Sequence, residues 1–194
     1  PLMRGGVLAA ALAVLGAILW SGALSDLSVM QEYASRADAF GREFLRHLGL
    51  AFGSLAAAAV IGFPLGVLCH RLASLRGATL PVLSFLQTIP SLAMFGLMIP
   101  ILSWVGANLP GARALGIAGI GFAPAFLALV LYSLLPVVGN TVAGLASAPP
   151  AALEAARGMG MTPLQRLLRV ELPLGLPIIL TGLRIVLVQN IGLA

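Results

Sequence analysis

The chain has 194 residues, of which 60% are hydrophobic and only 9% charged, with a mean hydropathy of +1.06. A soluble domain carries about 25% charged residues, so this composition excludes an ordinary water-soluble protein and makes the bilayer the natural solvent. The net charge of +5 comes entirely from arginine, since the sequence has no lysine. That excludes a phosphate-binding loop of the form G-x-x-x-x-G-K-[ST], and the placing of the arginines between apolar runs fits membrane orientation better than nucleic acid.

At roughly 20 apolar residues per spanning helix, the length allows about five spans in an all-α polytopic membrane protein. The first is predicted over residues 3–24, behind Arg4; its length and the weak cleavage site at Ser21-Gly22-Ala23 favour a retained span over a secretory leader. Residues 25–47 are polar, mixing Asp26, Glu32, Asp38 and Glu43 with Arg36, Arg42 and Arg46. The second span covers 48–69, followed by a basic connector with His70, Arg71 and Arg76. The third covers 80–102 and is interrupted by Pro90 and Pro100; the connector 103–116 carries Arg113. The fourth covers 117–138, a charged loop occupies 143–173, and the fifth starts near Leu174 and runs to the last residue. The chain thus divides into 1–47, first span and polar segment, and 48–194, transmembrane core. Neither Pro1 nor Ala194 looks like a natural terminus, so a fragment is expected.

The lone Cys69 excludes an internal disulfide and a cysteine metal cluster, and inert packing is expected of it. His47 and His70 stand singly at membrane edges, which suits interfacial roles. No acid pair, Ser/His/Asp set or metal-ligand cluster is apparent, so no catalytic residue, metal or cofactor is expected. Arginine counts set the orientation: the loops at 70–77 and 143–173 hold five, and Arg4 places the N-terminus on their side, the cytoplasm.

The charged loop has its own punctuation. Pro149-Pro150 suits a helix start, and Glu154 falls where the helix dipole favours an anion. Gly158 and Gly160 can take the left-handed geometry that ends a helix. Thr162, Pro163 and Gln165 then read as a capping box opening a second helix, with Leu164, Leu167 and Leu168 on one face, Arg166 and Arg169 on another, and Pro173 as its stop. The product is a helix–turn–helix at the membrane surface. Local physics fits either an element docked on a partner or an amphipathic hairpin lying on the membrane.

Glu154-Ala155-Ala156, three residues, Gly160, nine residues, Val170, one residue and Leu172-Pro173 closely resembles the EAA-loop signature of binding-protein-dependent ABC importer permeases. The resemblance implies a cytoplasmic coupling helix seated in a cleft of an ABC ATPase subunit, with Glu154, Ala155, Ala156, Gly160, Leu172 and Pro173 at the coupling positions. It also implies a second permease subunit, identical or different, an extracytoplasmic solute-binding protein, and residence in the bacterial cytoplasmic (inner) membrane among its lipids. The family's last span, a sixth here, would lie after Ala194. Phe85-Leu86-Gln87-Thr88-Ile89-Pro90-Ser91-Leu92-Ala93 with Gly96-Leu97-Met98-Ile99-Pro100 is similar to the osmoprotectant branch, which carries glycine betaine, carnitine and choline. An importer branch for amino acids or sulfonates, and a membrane transporter or scaffold without an ATPase, remain as alternatives.

Seven polar or helix-breaking positions inside the spans are candidates for the translocation path. Gln87, Thr88, Pro90 and Ser91 flank the break in span three; Arg184, Gln189 and Asn190 lie on span five. A proline-broken helix frees backbone carbonyls and can line a cavity, and a charge at the depth of Arg184 normally faces protein or water. Each can equally be structural, with Gln87 and Asn190 bonding across helices. Trp20, Trp104, Tyr33 and Tyr132 are too scattered to form the aromatic cage usual for quaternary ammonium groups, so high-affinity selection is expected of the binding protein.

Overall fold

The computed structural model describes residues 10, 13, 14, 16–18, 21, 28–112, 116, 117 and 119–194. Most of the predicted first span, and Arg113, lie outside the described residues. The chain divides into two compact units, Pro1–Arg46 and His47–Ala194. Helix α1 runs Ser28–Arg71, α2 Ala73–Thr88, α3 Ser91–Asn108, α4 Phe122–Ala146, α5 Pro150–Gly158 and α6 Pro163–Arg166. A π turn at Leu167–Glu171 leads into α7, Leu172–Leu193. No strand occurs among the described residues.

In the first unit, α1 departs from helical geometry at Arg36, whose guanidinium pairs with Glu32 at 2.8 Å on an exposed surface. Phe40 and Phe44, one turn apart, stack with ring centroids 6.1 Å apart.

In the second unit α4 is the hub. Half of its most apolar stretch is buried, against 17% for α3 and 28% for the helix ending in α7. Two seams hold it. Against α1, a Cβ on Gly62 would come within 2.8 Å of Val137 and one on Gly66 within 2.6 Å of Thr141. Against α7, a Cβ on Gly175 would meet the Gly144 carbonyl at 2.4 Å and one on Gly182 the Asn140 side chain at 2.6 Å. Backbones this close exist only where side chains are missing, which is how helices gain contact in a solvent that supplies no hydrophobic drive between them. Cys69 is fully buried with Leu83, Leu134, Val138 and Val142, the packing role expected of it.

Four helices among the described residues are long and apolar enough to cross a membrane: Ser35–Arg71, Ser91–Asn108, Phe122–Ala146 and Pro163–Leu193. Two boundaries differ from the sequence reading. The predicted span 80–102 is split at Ile89 and Pro90, both extended, between α2 and α3, while Pro100 is carried inside α3. The fourth helix starts and ends later than 117–138. It runs on through Asn140 and Thr141, past the expected end at 138, because their side chains donate back to the Pro136 and Val137 carbonyls at 2.8 and 2.7 Å and leave the ladder running.

Candidate functional site

The segment after α4 builds a bent, rigid loop. Pro150 opens α5 in the first turn, where its missing N–H costs nothing. The helix closes in a two-bond left-handed motif: Gly160 N–H donates to the Arg157 carbonyl at 2.9 Å and Met161 N–H to the Ala156 carbonyl at 3.1 Å, with Gly160 at φ 74°. Gly158, also a candidate for that geometry, stays helical. Thr162 and Gln165 then form the predicted reciprocal capping box, at 3.3 and 2.9 Å. Glu154 and Ala155 are exposed, whereas Ala156 is 1% exposed. The tip presents apolar side chains to the outside: Met159, Leu164 and Leu168 are each more than half exposed.

Pro173 does not stop the second helix. The π turn shifts the register so that Leu172 N–H donates to the Leu167 carbonyl, and Pro173 then sits in the first turn of α7. The loop is therefore continuous with the last long helix, without a hinge between them.

Glu171, in that π turn, is 2% exposed. Its Oε2 accepts from Arg71 Nη2 at 2.8 Å and its Oε1 from Arg166 Nε at 2.9 Å; His70 Nε2 stands 3.7 Å from Oε2. A buried carboxylate persists only when its lost hydration is replaced by charge and hydrogen bonds, and two guanidiniums supply both. The group ties the end of α1 to the loop and to the foot of α7. The sequence reading passed over Glu171 as the unnamed residue between Val170 and Leu172 and gave it no role. The available signal was an acid at the foot of an apolar run with Arg71 and Arg166 at the same membrane edge.

At the opposite break, the gap between α2 and α3 is held by α4. Pro136 inside α4 lacks the N–H that would bond the Tyr132 carbonyl. Gln87 Nε2 donates to that carbonyl at 2.8 Å, and the Tyr132 hydroxyl donates to the Ile89 carbonyl. The exchange leaves a cleft of about 320 Å³, in which Gln87, Thr88, Pro90 and Ser91 face Gln189 of α7. Tyr132, which the sequence reading noted only as a scattered aromatic, also lines it.

The other two candidate path residues lie elsewhere. Asn190 is fully buried; its Nδ2 donates to Ser54 at 2.8 Å and its Oδ1 accepts from Ser133 at 3.1 Å, joining α7, α1 and α4. Arg184 is exposed on α7 and makes no ion pair among the described residues.

Comparison with known proteins agrees with this architecture. Residues 49–194 match the family model of the binding-protein-dependent transport system inner membrane component. An osmoprotectant import permease protein of Salmonella typhimurium is 47% identical over 147 residues, covering 76% of this chain and 63% of the relative. A glycine betaine/carnitine/choline transport system permease protein of Bacillus subtilis is 39% identical over 152 residues, covering 78% of this chain and 59% of the relative. The chain thus spans about three-fifths of the length of these curated relatives. Among solved structures, a chain of the MetNI methionine ABC transporter in an inward-facing conformation superposes with a TM-score of 0.65 at 26% identity, covering 78% of this chain and 69% of that one.

Proposed function

The chain belongs to the family of binding-protein-dependent transport system inner membrane components, and from that premise we propose that it is the permease subunit of an ATP-driven importer for quaternary ammonium osmoprotectants such as glycine betaine, carnitine or choline. The observation that carries the reading is the loop. A short helix with exposed Glu154 and Ala155, a bend locked at Gly160 and an apolar tip of Met159, Leu164 and Leu168 has the form of a plug for a groove on another protein.

The chain has no lysine for a phosphate-binding loop, so ATP is hydrolysed on a separate ABC ATPase subunit docked at residues 143–173. In this reading that loop and the N-terminus are cytoplasmic, residues 48–194 carry the transmembrane core, and the protein sits in the bacterial inner membrane. A solute-binding protein delivers substrate from outside. A second permease subunit completes the path, since the few spans described here cannot enclose one alone. When the ATPase closes, the plug moves. The absence of a hinge between loop and α7 passes that movement to the membrane helices, shifting the balance between inward and outward access. The cleft lined by Gln87, Thr88, Pro90, Ser91 and Gln189 borders the path, and Arg184 and Asn190 lie on the same long helix as Gln189.

The likeness to a methionine transporter favours amino acids as a second reading, but at 26% identity it is much more distant than relatives at 39–47% named for osmoprotectants. Reconstitution of the full complex in vesicles decides between them. ATP-dependent uptake of labelled glycine betaine, carnitine or choline is the expected result; uptake of methionine with none of these three overturns the substrate assignment.

A further inference from the structure

We propose that the cleft at the break between α2 and α3 is a transmembrane subsite for the quaternary ammonium group of the substrate, held by the open C-terminal end of α2 and by Tyr132, with Gln189 beside it. The inference rests on the reading of the chain as an osmoprotectant permease and adds where and how the cationic group is held.

Three helices give the depth of the cleft independently. Arg71, just before α2, meets Glu171 at the foot of α7, and α4 ends where the loop begins. At roughly 1.5 Å per residue, Thr88 lies about 23 Å from Ala73 along α2, Tyr132 about 21 Å from Ala146 along α4, and Gln189 about 27 Å from Glu171 along α7. All three values fall inside a hydrocarbon layer about 30 Å thick, in the half away from the loop. Non-helical backbone at such a depth is tolerated only where it is buried in protein or lines a water-filled cavity. Here the extended residues Ile89 and Pro90 line a cleft of about 320 Å³, a volume within the range of small-molecule sites.

The end of α2 supplies negative potential. A helix leaves its last four carbonyls without intrahelical donors, and together they amount to about half a negative charge. In α2, Phe85 accepts from the Thr88 hydroxyl at 2.7 Å and Leu86 from the Ile89 N–H at 3.3 Å. The Gln87 and Thr88 carbonyls accept from no donor among the described residues, and Pro90 has no N–H to offer. Half-helix C-terminal ends and unwound carbonyls inside a membrane suit cations.

The rest of the lining fits a cation that cannot donate hydrogen bonds. A quaternary ammonium group has no N–H, so it is held by carbonyl dipoles and ring faces. Tyr132 supplies one ring, and its hydroxyl is already committed to the Ile89 carbonyl. One ring is less than a cage, so the affinity is low, as passage through a membrane requires. No lining residue carries a formal charge. Arg184, five residues before Gln189, projects roughly 140° away around α7 at about 100° per residue. The Ser91 hydroxyl and the Gln189 amide line the cleft and have no hydrogen-bond partner among the described residues. They are free to donate to a carboxylate carried on the same molecule, as in glycine betaine or carnitine.

The experiment uses the full complex, with ATPase and binding protein, in vesicles. ATP-driven uptake of labelled choline and glycine betaine is compared for wild type, Gln189→Glu and Gln189→Lys, the detection limit standing for a compound not carried. The binding protein is the same throughout, so a change in the ratio of the two rates originates in the permease. A carboxylate at 189 attracts choline and repels the carboxylate of betaine; a lysine repels choline and pairs with that carboxylate. The choline-to-betaine ratio should therefore be at least tenfold higher in Gln189→Glu than in Gln189→Lys. A smaller difference, or one of opposite sign, overturns the proposal. Should both variants lose all transport, Gln189→Cys decides. A methanethiosulfonate carrying a trimethylammonium group should label it, and excess choline should slow labelling at least fivefold where sorbitol does not; wild type, whose Cys69 is fully buried, is the blank. Labelling that is absent, or that choline leaves unchanged, overturns the proposal. Wild-type complex that carries neither compound defeats the osmoprotectant reading itself, a result visible before any variant is made.

Discussion

Arg71 and Glu171 are 100 residues apart in sequence and 2.8 Å apart in space. Their contact fixes the end of α1 to the junction of loop and last helix, and Arg166 closes it from the other side at 2.9 Å. Removing one partner of a buried ion pair leaves an uncompensated charge, at a typical cost of 3–5 kcal/mol. Arg71 keeps 31% of its side-chain surface and Arg166 16%, so water recovers part of that. Glu171→Ala should lower stability by about 3 kcal/mol, read as a thermal shift in detergent. Arg71→Gln should cost less, and the double change Arg71→Gln with Glu171→Ala should cost less than the sum of the two single changes. Simple additivity would mean that the contact does not hold the junction.

The bend at Gly160 makes a second test. Its φ of 74° is unfavourable for a residue with a Cβ by about 1–2 kcal/mol, and proline cannot reach it at all. Gly160→Pro should abolish ATP-driven uptake while the protein still inserts, and Gly160→Ala should reduce uptake severalfold. Glu154→Lys, at an exposed position whose side chain makes no ion pair among the described residues, should leave stability nearly unchanged and remove co-purification of the ATPase. Retained co-purification would place the docking surface elsewhere on the chain.

The two halves of this loop show what sequence can carry. Its caps were readable because they are local: Pro150, Gly160, Thr162 and Gln165 each act on backbone within about one turn. The continuation past Pro173 was not, because proline marks a stop only in regular α geometry, and the π turn before it changes which carbonyl loses its donor. The same limit applied inside the spans. Gln87, Thr88, Pro90 and Ser91 could be chosen from the break they surround, and Gln189 joins them only because α7 packs beside it. The Arg71–Glu171 contact and the Tyr132 hydrogen bonds join residues 43 to 100 positions apart, and no periodicity encodes such a meeting. The end of the fourth span at 138 was misplaced for the opposite reason: the polar side chains of Asn140 and Thr141 beyond it return to their own helix and extend it through apolar surroundings.

Tyr132 and Gln87 test the cleft. Tyr132→Phe keeps the ring and removes the donor to the Ile89 carbonyl; leaving such a group unpaired costs about 1–3 kcal/mol. Gln87→Leu strands the Tyr132 carbonyl in the same way. Each should lower thermal stability by that amount and slow uptake. Because both act on one break, the pair of changes should be less than additive. Independent effects would show that the two hydrogen bonds do not hold a common element.

Asn190 separates a structural from a path role. Its amide joins Ser54 and Ser133 across three helices, yet both serines also donate to carbonyls of their own helices, Leu50 and Leu129. Losing Asn190 therefore strands no hydroxyl hydrogen, and hydrogen bonds between membrane helices average only about 0.6 kcal/mol. Asn190→Thr, close in volume and able to return its hydroxyl to its own helix, should cost about 1 kcal/mol at most. If the amide only joins helices, uptake should follow that small loss of stability and no more. A tenfold fall in uptake with a thermal shift of only a few degrees would require α7 to turn during transport, bringing this now fully buried side chain onto the path beside Gln189.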